Sequence, residues 1–212
     1  MADDLAPEYV RFITEERRAN RLPAFQEQLK EGEIWPPVNV GNEQATEFLR
    51  LAARRAVGLF RPDRHTEVVW VHGDSELALS IIGLSVKLTD GLIFVYLPVR
   101  CDQTGDATIE IAFAVGRAEE PAGIYASTYR RPNGPALIVE AWEEMLVAFA
   151  WQCVLGMISG IAGAVGKDAR GNVLVPVELT ASEQGLQIVP MARYRFTSSS
   201  RLDPITKRRG AR

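Results

Sequence analysis

Histidine and cysteine are scarce in this 212-residue sequence, two of each, and that scarcity removes whole classes of chemistry. Cys101 and Cys153 form no metal-type spacing and cannot make a disulfide framework, so two free, buried thiols are expected. His65 and His72 have Glu67 and Asp74 nearby, but on a strand His72 and Glu67 point to opposite faces. No metal ligand is therefore assigned. Ser75 follows Gly73-Asp74 without a Gly-x-Ser-x-Gly elbow, so a nucleophilic serine has no support. The run Gly163-x-x-Gly166-Lys167 has Ile161 where a phosphate loop needs its first glycine, and it closes a helix rather than opening one. No cofactor is expected.

Net charge is small too. At −3 it gives no general attraction to nucleic acid or to an anionic membrane. No signal-peptide pattern opens the sequence, so a reduced, cytoplasmic setting is expected.

What the sequence does have is a long charge-free stretch. Residues 145–166 carry no charged side chain, and they continue a helical pattern that begins at Pro135, a residue suited to a helix's first turn. Such a run either spans a bilayer or is buried on nearly every side within protein. The protein-buried reading is preferred. Gln152 and several glycines interrupt the run, Glu140, Glu143 and Glu144 wet its beginning, and strand-like segments flank it. Glu140, Glu144, Ala148, Gln152, Gly156, Ser159 and Gly163 recur at steps of three and four, which sets small and polar groups along one face. That stripe suits close approach of another helix or strand, or the wall of a narrow cavity.

Before this helix the pattern changes twice. Residues 7–31 read as helix with a break at Leu22-Pro23, and Ile34-Trp35-Pro36-Pro37 as an extended connector. Asn42 is the expected N-cap of a second helix that buries Phe48, Leu49, Ala52 and Ala56. Alternation then predicts strands at 67–72, 76–88 with a bend at Gly83, 92–100 and 107–115, joined by Gly73-Asp74, Asp90-Gly91 and a polar turn. Both faces of the central strands are apolar, so a covering element or a partner is expected. After the helix, 173–180 and 186–196 form a closing hairpin, with Pro176 and Pro190 at edge positions. Thr197 to Arg212 is a tail with five basic residues against Asp203.

The expected architecture is α+β: N-terminal helices, and an antiparallel sheet made of a meander plus the closing hairpin, packed on one long buried helix. It forms a single domain over 1–196 with a basic tail over 197–212. No catalytic residue is assigned. The arginines of the 117–134 connection and the helical stripe give a candidate interface or pocket: Tyr125, Tyr129, Arg130, Arg131, Gln152, Gly156, Ser159 and Gly160. The leading expectation is a non-catalytic structural subunit that acts as a homo-oligomer or within a multi-protein particle, a viral one included. The alternative is a small-molecule binder or enzyme with a pocket between the sheet and helix 135–166, which a closed lining of Gln152, Ser159 and His72 would favour. Nucleic-acid binding would rest on the basic tail alone, and membrane embedding ranks below the soluble reading.

Overall fold

The computed structural model describes residues 34–58, 67–117, 119 and 127–192. The helix expected over 7–31, the tail and Tyr125 lie outside them. The described part is α+β, with two helices and two antiparallel sheets.

The larger sheet contains β2 (Glu67–His72), β3 (Ser75–Ser80), β4 (Ser85–Thr89), β5 (Leu92–Cys101), β6 (Gly105–Ala114) and β7 (Ser127–Thr128). The smaller one sets β9 (Gly185–Met191) between β1 (Val38–Val40) and β8 (Val175–Ser182). The long expected strand over 76–88 is β3 and β4 in succession along the same side of β5, where residues 80–84 face only residues 97 and 98. Three extra residues are looped out there. Gly83 belongs at this bend because any Cβ would stand 2.8 Å from the Pro98 ring.

Alternation along β5 separates the faces. Ile93, Val95, Leu97 and Val99 are buried, whereas Leu92, Phe94, Tyr96 and Pro98 remain partly exposed on the other side. The Asp90-Gly91 turn between β4 and β5 has Gly91 at φ +71°, as a tight hairpin requires. It also joins the sheets: the Gly91 N–H donates to the Ala181 carbonyl at 3.0 Å, and the Ala181 N–H donates to that of Gly116 at 3.0 Å. The closing hairpin therefore forms a separate sheet with β1, a strand the connector reading of 34–37 did not anticipate. Pro190 is not at an edge. It lies in the central strand β9 opposite Pro176, where neither proline has an N–H to give, and the ladder shifts register just beyond.

Helix α1 (Asn42–Ala56) begins at Asn42 itself, so its cap stands one residue before the expected one. Gly41 is the N-cap, and its N–H donates to Gln44 Oε1 at 3.0 Å. Asn42 is thereby freed for another task. Its Oδ1 accepts the Leu88 N–H at 2.8 Å, Thr46 Oγ1 accepts the Val86 N–H at 3.1 Å, and Arg50 Nε donates to the Leu84 carbonyl at 2.9 Å. Four helical residues rise about 6 Å and two strand residues about 6.7 Å, so this i, i+4, i+8 set keeps step with alternate groups of β4. Helix α1 thus closes the free edge of β4 with side chains.

Helix α2 (Ala136–Val165) has Pro135 as its N-cap, one position before the expected first turn. Its first half packs on the larger sheet, with Trp142 edge-on to His72 at 6.0 Å, Phe149 to Trp70 at 5.3 Å, and Trp151 tilted against Phe113 at 5.6 Å. Pairs of this kind add about 0.5–1.5 kcal/mol each beyond the area they bury. Farther along, α2 meets β8 and β9 and lies beside α1. The expectation of burial on nearly every side is not met. Ile138, Leu146, Cys153, Met157 and Ile161 are buried, but Glu140, Glu144, Ala148, Gln152, Gly156 and Ser159 are exposed. By length and composition α2 is a helix that could cross a membrane, and half of its most apolar window is buried against protein.

A carboxylate organises the turn that follows. Asp168, only 4% exposed, accepts the backbone N–H groups of Arg170 at 2.9 Å and Asn172 at 2.8 Å, together with the Asn172 side-chain amide. Burial by itself raises its pKa, but the hydrogen bonds from the Asn172 side chain and backbone and from the Arg170 backbone outweigh it and hold the carboxyl below its ordinary value. A depressed folded pKa gives stability that is present above the unfolded value of about 3.9 and is lost as pH falls through the folded one. Asp168→Asn is therefore expected to cost on the order of 1–2 kcal/mol at pH 7, with the gap to the parent closing below about pH 4. Urea unfolding at a series of pH values measures it, and a gap independent of pH would contradict it.

Candidate functional site

Residues 127–133 run along the outer edge of β6 as a broken strand: the Tyr129 N–H donates to the Ala112 carbonyl at 2.7 Å, and Glu110 and Asn133 exchange both of their backbone bonds. The two arginines of this segment go to different elements. Arg130 pairs with Glu110 on β6 and lies over the Phe94 ring at 5.8 Å. Arg131 Nε reaches Glu143 of α2 at 3.0 Å. Tyr129 is 61% exposed.

Tyr96, cross-strand from Glu110, completes the corner. Burial first, then the charge of Glu110 and the hydrogen bond to it, raise the phenol's pKa, with Arg130 opposing. The hydroxyl therefore stays protonated at neutral pH and donates to the carboxylate. Two surface ion pairs of this kind contribute about 0–1 kcal/mol each, and they hold the segment against sheet and helix.

The helical half of the candidate set lies elsewhere. Gln152, Gly156 and Ser159 are exposed and Gly160 is half-buried along one face of α2. From Glu143, where Arg131 attaches, the helix rises about 14 Å to Gln152 and about 24 Å to Ser159. The structure therefore places the arginines and the stripe at separate stations rather than in one site. His72 is exposed as well and stands against Trp142 near the start of the helix, so Gln152, Ser159 and His72 do not line a shared closed wall. At Gly156 the stripe does meet a neighbour, since a Cβ there would stand 2.8 Å from Cβ of Ala52 on α1.

Both thiols are free and buried. Burial pushes the Cys153 thiol up to about 12, which leaves it without thiolate at neutral pH. Ser75 Oγ accepts from Gln103 Nε2 at 3.5 Å. Among the described residues no group of three or more His, Cys, Asp or Glu is placed to hold a metal ion.

The sequence did not reveal which apolar residues would stay uncovered. Val69 and Val71 of β2 are 48% and 71% exposed, and Ile82 at the bend is 51% exposed. By register the two valines share the outward side of the larger sheet with Phe94, Tyr96 and Pro98. The available signal was the apolar character of both faces of β5, which said that one face lacked a cover but not which. No protein-family model matches the chain, and no curated protein or solved structure matches it.

Proposed function

We propose that this chain is a non-catalytic assembly subunit, acting by self-association or by incorporation in a multi-protein particle. The observation that carries the reading is the outward side of the larger sheet, where Val69 and Val71 are exposed and Phe94, Tyr96 and Pro98 partly exposed, with Ile82 exposed at the bend. These apolar side chains are set among the Glu67–Arg100 and Glu110–Arg130 ion pairs, and exposed apolar groups gathered on one sheet face suit a contact surface. The stripe of α2, uncharged from Ala148 to Ser159 and met by α1 at Gly156, adds a second uncharged area. The groups that usually carry catalysis are occupied structurally: Glu110 and Glu143 are held by arginines, Asp168 by a turn, and Cys153 is buried.

Multi-angle light scattering over a concentration series tests this. Multiples of the chain mass, or a mass that rises with concentration in the micromolar range, are expected. A mass of one chain at every concentration, with no partner recovered at stoichiometric yield from its source, would remove the reading.

A further inference from the structure

Of the five asparagines in the chain, Asn133 alone is followed by glycine. Asparagine is a thermolabile residue, and its lability is greatest where the next backbone nitrogen has no Cβ to shield it. Packing dictates the glycine, because a Cβ at position 134 would collide with Cδ1 of Ile109, fully buried on β6. The other described asparagines are held by their side chains. Asn39 Oδ1 accepts from Gln187 Nε2 at 3.1 Å, Asn42 Oδ1 accepts the Leu88 N–H at 2.8 Å, and the Asn172 amide donates to both oxygens of Asp168. Each is followed by a bulkier residue, Val40, Glu43 or Val173. Asn133 is exposed, and among the described residues neither its side-chain amide nor the Gly134 N–H has a hydrogen-bond partner. Asp90-Gly91 is the contrast, since its glycine N–H is already donated to the Ala181 carbonyl at 3.0 Å.

We propose that Asn133-Gly134 is a self-modifying site, converted by water through a succinimide to aspartyl and isoaspartyl forms, at a rate set by the backbone bridge between Asn133 and Glu110. The inference goes beyond the assembly reading and does not depend on it. The Gly134 nitrogen gives its proton to solvent and attacks Cγ of Asn133. The bond from Cγ to Nδ2 breaks, and that nitrogen takes a proton from water and leaves as ammonia. A water molecule then opens the five-membered ring. Attack at Cγ leaves an aspartate in an ordinary main chain, whereas attack at the main-chain carbonyl carbon routes the chain through Cβ and Cγ and makes it one atom longer. The balance is one ammonia lost and one water gained, with no oxidant or cofactor.

The fold controls the first step. The Asn133 N–H donates to the Glu110 carbonyl and the Glu110 N–H to that of Asn133, both at 2.9 Å. In such an extended pairing the Gly134 nitrogen and the Asn133 Cβ are turned apart about the Cα–C bond. Ring closure needs rotation about that bond, which takes the Asn133 carbonyl off Glu110. Reaction therefore waits on local opening of residues 127–133. Their hold on the body is the Tyr129 N–H bond to Ala112, the bridge itself, and the surface pairs Arg130–Glu110 and Arg131–Glu143. The isoaspartyl product makes the opening lasting, because the extra main-chain atom shifts the carbonyl that the Glu110 N–H needs.

The test ages the full folded chain at neutral pH and 37 °C, cuts it after glutamate and follows peptide masses. Peptide 121–140 holds Asn133 as its sole side-chain amide, so a gain of nearly one dalton there is unambiguous, and an isoaspartyl methyltransferase labels the isoaspartyl share. Asn133 is expected to react ahead of Asn39, Asn42 and Asn172. Unfolding the chain in guanidinium chloride is expected to speed the reaction by about tenfold or more, and Arg130→Ala/Arg131→Ala to speed it in the folded chain by about threefold or more. In the isoaspartyl fraction, hydrogen exchange at the Glu110 N–H is expected to quicken while that of Val115, bonded to the Gly91 carbonyl, stays as it was. A folded chain whose Asn133 stays intact while the unfolded chain reacts overturns the proposal. Equal rates in the folded and unfolded chains, a double variant at the parental rate, or an isoaspartyl fraction with Glu110 still protected overturns it as well, by removing the bridge as its control.

Discussion

Gly185→Ala is expected to destabilise the fold by about 2–5 kcal/mol, one of the largest costs a single added methyl can impose here. Gly185 opens β9 after a two-residue turn with φ at +149°, a backbone conformation in which a side chain is strained. The neighbourhood adds a second cost. An ideal Cβ at Gly185 would stand 2.6 Å from the Val40 carbonyl oxygen and 3.2 Å from its carbon. Those atoms belong to β1, which pairs with β9 through Val40 and Leu186, and the next residue, Gly41, caps α1. Relief would have to move backbone rather than rotate a side chain, which separates β1 from the smaller sheet or shifts α1 off β4. Gly73→Ala supplies the control. Its φ of +60° is also positive, but nothing lies within 4 Å of the added atom, so only the conformational cost of about 1 kcal/mol remains. Urea unfolding midpoints at unchanged slope measure both. Equal losses at the two glycines would show that the approach of Val40 to Gly185 is not made in solution.

The hairpins of this fold were legible because their signals are local. Gly73-Asp74, Asp90-Gly91 and Ser182 to Gly185 each announce a turn between alternating runs, and the structure turns at all three. The side chains that join elements far apart in sequence were not legible. Asn42 looks like a helix cap by type, yet it serves Leu88, forty-six residues on, and the shorter-range role passes to Gly41. β1 alternates as Val38-Asn39-Val40 but is only three residues long, too short to be read as a strand alone; β9 offers it a ladder. The division into two sheets was hidden for the same reason, since the seam is made by backbone groups of Gly91, Gly116 and Ala181 that carry no side-chain signal. In the candidate set, the spacing of Gln152, Gly156 and Ser159 correctly put them on one face, because helical periodicity is local. That Arg130 would go to Glu110 and Arg131 to Glu143 depended on where β6 passes, which no neighbouring residue encodes.

Two adjacent residues of α2 test the orientation of the whole helix. Cys153→Asp is expected to cost more than about 4 kcal/mol and to leave little folded protein at 37 °C, while Gln152→Lys is expected to stay within about 0.5 kcal/mol of the parent. Cys153 is fully buried, and burial already drives its thiol far from ionisation. A carboxylate in the same place would have no partner and would either remain protonated or pull water into the core. Gln152, one residue earlier, is exposed, and a lysine there keeps its ammonium hydrated. Unfolding measured at low protein concentration keeps association out of the comparison. If α2 were instead ringed by lipid, lysine at 152 would carry about 2.5–3.5 kcal/mol near the middle of the span, and the contrast between neighbours would shrink. If position 152 were covered by another copy, the lysine would spare the unfolding midpoint and raise the association midpoint. The two residues separate these surroundings because they differ in which side of one rod they occupy and in almost nothing else.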